Sequence, residues 1–153
     1  MKIQQYLLVL LEVLFPYMLN ADITEDIHFS HIGLEEGLSH STIFAINQDK
    51  GGNLWFATYD GVNKYDGYNF TVYRHQYTHP NSIASDISRC ITMDDSDRIW
   101  IGTRDGLSLY NHYKDEFSNY YYKRNGLNVA VTSIIPIKKD WLMLGTAEGI
   151  LLF

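Results

Sequence analysis

Two aspartates, Asp60 and Asp105, stand at matching places in this chain, in Tyr59-Asp60-Gly61 and Arg104-Asp105-Gly106. A matched carboxylate pair is what glycoside hydrolysis requires, one group as acid and the other as base or nucleophile. The recurrence also has a simpler cause, because Asp-Gly is a preferred turn pair, and that reading is favoured. His28, His31 and His40 crowd the start, while His75 and His79 flank a loop that closes on Pro80-Asn81-Ser82. A metal needs three or four converging ligands, and His-x-x-x-His on a loop lacks the helical spacing that would bring such a pair to one face. The chain is therefore read as holding no metal and no cofactor. Ser39 and Ser82 sit outside any nucleophile-elbow pattern, so acyl transfer has no support. Cys90 is the only cysteine. It permits no internal disulfide and reads as a small apolar residue buried in a strand.

Aromatic residues are a stronger signal. Twelve tyrosines, three tryptophans and seven phenylalanines supply the flat faces that pack against the C–H surfaces of sugars, given a few polar groups for the hydroxyls. Their use depends on which of them the fold buries.

The elements that must position these residues are set by a repeat. Asn53-Leu54-Trp55-Phe56-Ala57-Thr58-Tyr59-Asp60-Gly61-Val62 returns as Arg98-Ile99-Trp100-Ile101-Gly102-Thr103-Arg104-Asp105-Gly106-Leu107. It returns again as Trp141-Leu142-Met143-Leu144-Gly145-Thr146-Ala147-Glu148-Gly149-Ile150, with the threonines spaced by 45 and 43 residues. Leu54, Phe56 and Thr58 share one face of a strand, and Trp55 and Ala57 the other. Both faces are apolar, as in a strand held between neighbouring sheets. Ala57, Gly102 and Gly145 allow close approach of an adjacent sheet. An all-β unit repeated every 40–45 residues predicts β-propeller blades of four antiparallel strands. The expected strands are 43–48, 54–58, 62–65 and 70–74, then 87–93, 99–103, 107–110 and 117–122, then 131–137, 142–146 and 150–153. This gives a lead-in strand and loop over 22–42, blade 1 over 43–86, blade 2 over 87–130 and part of a third blade over 131–153, an incomplete ring.

In such blades Trp55, Trp100, Tyr65 and Tyr110 are core. Tyr120-Tyr121-Tyr122 reads as an outer edge strand whose alternate members face solvent or a partner. Ligand candidates are positions that vary between repeats on one rim, where second-to-third-strand turns meet blade-to-blade connections. They are Tyr59, Arg104 and Glu148 in the turns, with His79, Asn81 and Asn125 in the connections. Loops on a rigid scaffold are where binding usually resides.

The first 21 residues differ in kind. Lys2 precedes an apolar run, Tyr6-Leu7-Leu8-Val9-Leu10-Leu11 and Val13-Leu14-Phe15, with a small residue at Ala21. This reads as a secretory signal over 1–21, with an uncleaved signal anchor as the competing reading. The net charge of −6 argues against a nucleic-acid surface, because phosphate contacts require clustered Lys and Arg. Too few blades are present to close a ring and remove the sheet edges. Further blades of a longer chain, or a second copy, are the expected partners; a truncated remnant is the alternative.

Phe29-Ser30-His31-Ile32 followed by Glu36-Gly37-Leu38-Ser39-His40-Ser41-Thr42-Ile43 resembles the opening of a two-component regulator propeller. Asp49-x-x-Gly52-Asn53-Leu54-Trp55-Phe56-Ala57-Thr58-Tyr59-Asp60-Gly61-Val62-x-x-Tyr65-Asp66-Gly67 is similar to the blade signature of that family. The resemblance covers about residues 28–153. In the third repeat Met143 takes the tryptophan position, Trp141 lies two residues away on the same face, and Glu148 replaces the turn aspartate. The resemblance implies the amino-terminal part of the periplasmic sensor region of a hybrid two-component histidine kinase of Bacteroidetes, anchored in the inner membrane and sensing an oligosaccharide. Kinase activity would lie in other domains, so the chain is expected to be a sensor and not an enzyme. An exported propeller-type polysaccharide-active enzyme and a non-signalling interaction module are the alternatives.

Overall fold

The computed structural model describes residues 28–138 and 140–153, so the signal reading over 1–21 lies outside the described residues. The chain divides into two compact units, Met1–His31 and Ile32–Phe153. Of the first, only 28–31 are described, and these are exposed and irregular.

The second unit opens with a short 3₁₀ turn, Leu34–Glu36, followed by three antiparallel sheets. Strands β1 (Ile43–Gln48), β2 (Leu54–Thr58), β3 (Val62–Tyr65) and β4 (Phe70–Tyr73) form the first sheet in that order. Strands β5 (Ser88–Met93), β6 (Ile99–Thr103), β7 (Gly106–Asn111) and β8 (Glu116–Tyr120) form the second. A two-stranded hairpin, β9 (Lys123–Arg124) with β10 (Leu127–Asn128), precedes the third sheet of β11 (Val131–Lys138), β12 (Trp141–Thr146) and β13 (Gly149–Leu152). The all-β architecture of four-stranded antiparallel blades in an incomplete ring is as the repeat predicts. The first strand of the second blade, β5, lies beside the first strands of both its neighbours, β1 and β11, so the blades fan out from that inner edge.

Packing between blades follows one rule twice. The face of the first sheet carrying Trp55, Ala57 and Val62 packs on the face of the second carrying Ile91, Ile99, Ile101, Tyr110 and Phe117. The Trp100 and Leu107 face of the second sheet packs on Ile134, Leu142 and Leu144 of the third. In β6 both faces are buried, as expected for a sandwiched strand. In β2 the Leu54 and Phe56 face is only half-buried, because no sheet covers it.

Each blade is fastened by devices that explain the repeat. The threonine hydroxyls of Thr58, Thr103 and Thr146 donate to the carbonyls of Gly61, Gly106 and Gly149 at 2.8–3.0 Å and accept from the N–H of Asp60, Asp105 and Glu148. Those glycines have φ of 92°, 147° and 113°, values that side chains disfavour. At the opposite end of the blade the Asp49 carboxylate accepts from the Trp55 indole N–H at 2.8 Å and from Asn53. Asp94 does the same for Trp100 at 2.9 Å, for the backbone N–H of Ser96 and Arg98, and for the Arg98 side chain. The third repeat has Ile137 at that place, so no carboxylate stands ready for an indole, which accounts for methionine at 143. The small residue before the threonine also has a visible cause. A Cβ at Gly102 would collide with Cys90 Sγ and stand 2.8 Å from the Val131 carbonyl of the next blade.

An aromatic and carboxylate cluster ties blade to blade at the outer side. Trp55 stacks on Tyr73 at 5.9 Å and meets Tyr110 edge-on at 4.8 Å. Both tyrosine hydroxyls donate to Asp115 Oδ1 at 2.7 Å. Trp100, Tyr120 and Phe153 repeat the aromatic part between the second and third sheets.

Candidate functional site

The rim of interest is built where second-to-third-strand turns meet the connections. The Gly61 N–H donates to the Asp86 carbonyl at 2.6 Å, and the Arg104 N–H to the Ile87 carbonyl at 2.9 Å. Arg124 on β9 pairs with Glu148 at 2.6 Å. Turns and connections therefore share one rim, as a blade order of four consecutive antiparallel strands requires.

Between them runs a continuous groove in three parts. The middle part, about 640 Å³, is lined by His75, Tyr77, Asp86, Arg104, Asp105, Tyr121, Lys123 and Asn128. It shares His75, Tyr77 and Tyr121 with a part that reaches His79, Asn81 and Asn119. It shares Arg104, Asp105, Lys123 and Asn128 with a part that reaches Arg124, Asn125 and Glu148. Tyr77 is 97% exposed and Tyr121 48%, so two aromatic faces stand open to the groove. Tyr77 is braced edge-on by His75 at 4.8 Å. The His75 ring is fixed by the Ile83 carbonyl at 2.8 Å, and its backbone N–H donates to Asp86 at 2.6 Å. Lys123 has no ion-pair partner among the described residues, and Arg104 has only its neighbour Asp105 at 3.4 Å. Cations, amides and open aromatic rings thus line one channel, the mixture a polyhydroxylated ligand needs.

Five of the six residues expected on the rim line this groove: Arg104, Glu148, His79, Asn81 and Asn125. Tyr59 does not. Its ring packs edge-on against Phe44 at 4.7 Å and His40 at 5.6 Å. Asn81 is committed to structure, its carbonyl accepting from Phe117 N–H and its amide donating to Glu116 at 3.0 Å. Asn125 holds φ 51° in the β9–β10 turn, and Glu148 is held by Arg124. Tyr77, Tyr121 and Lys123 were not among the expected rim residues. Tyr121 and Tyr122 lie beyond β8, which ends at Tyr120, so the triple tyrosine is not one edge strand. The Asn125-Gly126 pair between short polar segments is the hairpin signal that would have found β9 and β10.

Each of the matched aspartates has an arginine beside it. Asp60 is gripped by Arg74 through two bonds of 2.8–2.9 Å, and that hydrogen bonding foremost holds its carboxyl below the ordinary value. Asp105 sits beside Arg104. A general acid needs a carboxyl raised by its surroundings, the reverse of what Asp60 shows. No group of three or more potential metal ligands occurs among the described residues.

The profile described as "Two component regulator propeller" matches residues 37–60 and 82–105. Both segments are similar to the repeats of that family. Both matched segments start in a connection and end in a rim turn, so the repeat includes Leu38 and Ile83, each buried beneath its connection. The extracellular domain of BT3049 from B. thetaiotaomicron, described as a hybrid two component system, superposes with a TM-score of 0.66 at 34% identity over 75% of this chain and 17% of that one. The extracellular domain of BT4673 from the same organism superposes with a TM-score of 0.65 at 18% identity, over 81% of this chain and 16% of that one, a likeness of fold. Histidine kinase P4 of Formosa agariphila is 47% identical over 49 residues, 32% of this chain and 4% of that protein. The chain thus spans a small fraction of the length of these relatives. Among the described residues no helix is long and apolar enough to cross a membrane.

Proposed function

We propose that this chain is the amino-terminal propeller part of an exported, periplasmic sensor of a hybrid two-component system, and that its rim groove binds an oligosaccharide. The observation that carries the ligand reading is the groove itself, with Tyr77 and Tyr121 open beside Arg104, Lys123 and Asn128. The groove on the opposite rim offers less. Its Asp49, Asn53 and Asn111 are already engaged by turn backbone and by Trp55. Binding, and not bond cleavage, fits the carboxyls that are held by arginine. Export follows the signal reading of residues 1–21 and the extracellular setting of the domains it resembles. A sugar in the groove would touch two connections and the β6–β7 turn together. It could bias the relation between blades only through unequal affinity for their arrangements.

Titration calorimetry of the full chain against a panel of neutral and acidic oligosaccharides tests the reading. At least one saccharide binds, and Tyr77→Ala or Arg104→Ala weakens it by roughly 10-fold or more, as expected when a stacking or polar anchor is lost. Binding that survives both changes, or no binding by any member, would overturn it.

A further inference from the structure

Tyr59, the rim candidate that leaves the groove, joins a separate cluster at the inner end of the same rim. Strands β1, β5 and β11 each carry a β-bulge where they meet the rim turns, between Ile43 and Ala45, Ser88 and Cys90, and Val131 and Ser133. The inserted residues are Phe44, Arg89 and Thr132. A bulge re-aims the side chain it inserts, and its recurrence in three blades marks a built feature of this rim. Thr132 turns back on its own blade and donates to the Gly145 carbonyl at 3.1 Å. Arg89 instead reaches the preceding blade, its guanidinium 5.8 Å from the centre of the Phe44 ring. Through Phe44 it meets Tyr59 and, beyond it, His40.

The Arg89 fork has no acceptor. No ion pair engages it among the described residues, and its Nε–H is buried without a partner, as is the hydroxyl of Ser88 beside it. Buried polar groups are ordinarily bonded, so an arginine held this way is out of keeping with a purely structural role. Asp60, next to Tyr59, does not compensate it, because Arg74 occupies both of its oxygens. His40 adds a donor: its Nδ1 accepts from the Thr42 N–H at 2.9 Å, which leaves the ring proton on Nε2. Tyr59 and Phe44 are exposed, so flat faces stand beside these donors. The cluster also adjoins the groove, since Gly61 of the Tyr59 turn is bonded to Asp86, and Asp86 and Ile87 of the groove lead directly into Ser88 and Arg89.

We propose that Arg89, His40, Tyr59 and Phe44 form a second subsite, which takes the carboxylate or sulfate of an acidic saccharide. The inference rests on the reading of the groove as a saccharide site and names the class of saccharide. A guanidinium fork matches the oxygens of such an anion, and charge-assisted bonds of this kind are the strong ones. The tyrosine face takes the C–H side of the same sugar. A neutral sugar would leave the fork as unmet as before, so the subsite selects by charge.

Titration calorimetry of the full chain with oligogalacturonate, a sulfated galacto-oligosaccharide and a neutral galacto-oligosaccharide of matched length tests this. One of the acidic chains binds roughly 10-fold or more tighter than the neutral one, the effect of gaining a charged hydrogen bond, and which of the two it is identifies the anion. Arg89→Gln brings acidic and neutral affinities within about 3-fold of each other, and Arg89→Lys keeps part of the preference. Circular dichroism of both variants still reports folded sheet. Equal binding of all three chains, or a preference that survives Arg89→Gln and falls with Arg104→Gln, would overturn the subsite. If the neutral chain still binds and Tyr77→Ala weakens it, the groove reading stands without it. Failure of all three chains to bind would overturn the subsite as well, and the wider oligosaccharide panel then decides the groove by itself.

Discussion

Asp94→Ala is the sharpest probe of how a blade is held. Trp100 is buried, and its indole N–H has Asp94 Oδ2 as partner at 2.9 Å. The same carboxylate accepts from the backbone N–H groups of Ser96 and Arg98. Deleting it orphans one buried donor and two turn donors, and the Ser96 group can turn to water. An orphaned buried donor costs about 1–3 kcal/mol and a hydrogen bond to a charged acceptor contributes about 1.5–3, so the loss is about 3–4 kcal/mol. Asp94→Asn keeps an acceptor oxygen and costs about 1–2 kcal/mol, the value of exchanging charged for neutral acceptance. A pH signature separates the two effects. Burial pushes the Asp94 carboxyl up, but hydrogen bonds from Trp100, Arg98 and Ser96 together leave it below its ordinary value. A group depressed in the folded state adds stability above its unfolded pKa, about 3.9, and loses it as the pH falls through the folded value. The native chain therefore weakens below about pH 4, and both variants weaken less over the same fall. Urea unfolding by circular dichroism across that range is the assay. A loss within about 0.5 kcal/mol for Asp94→Ala, the level of an ordinary surface change, would refute the reasoning. So would an unchanged acid slope.

Other expectations follow from the same structure. Thr103→Val strips the β6–β7 turn of two bonds and costs about 1–3 kcal/mol, read as a lower urea midpoint with an unchanged slope. Gly102→Ala forces a Cβ against Cys90 and the Val131 carbonyl and costs about 1–3 kcal/mol by overpacking; thermal unfolding would show it. Tyr110 is pushed up to about 12, by burial foremost. A raised folded value means stability that is intact below the unfolded pKa of about 10 and is lost as the pH rises through the folded one. Tyr110→Phe should flatten that alkaline decline in a pH series of melts.

Much of the fold was legible because a strand held between sheets has a rigid period. The alternation of Leu54, Trp55, Phe56 and Ala57 and the recurrence of Thr-x-Asp-Gly set both the strands and the rim turns. Five of the six rim candidates line the groove for a topological reason, since second-to-third-strand turns and connections must share an end of the blade. What the residues hid was tertiary. Ile83 reads as loop, yet it is fully buried between blades. Asp49 reads as a turn former, and only its 2.8 Å bond to an indole six residues on shows it to be an anchor. The strands β9 and β10 are two residues each, too short to carry a period. Tyr59 left the groove because Phe44 and His40 offer it an aromatic surface, a contact that no spacing rule encodes. Tyr77 was missed because it has no counterpart in the other repeats and no pattern to mark it.

Hydrogen–deuterium exchange of the full chain, with and without the saccharide selected by titration, tests the central claim most directly. Protection is predicted over 75–87, 103–106 and 121–129, the connections and the turn that line the groove, with the opposite-rim turns at 49–53 and 94–98 unchanged. Protection confined to the opposite rim, or spread evenly over all blades, would contradict a ligand bound at this rim.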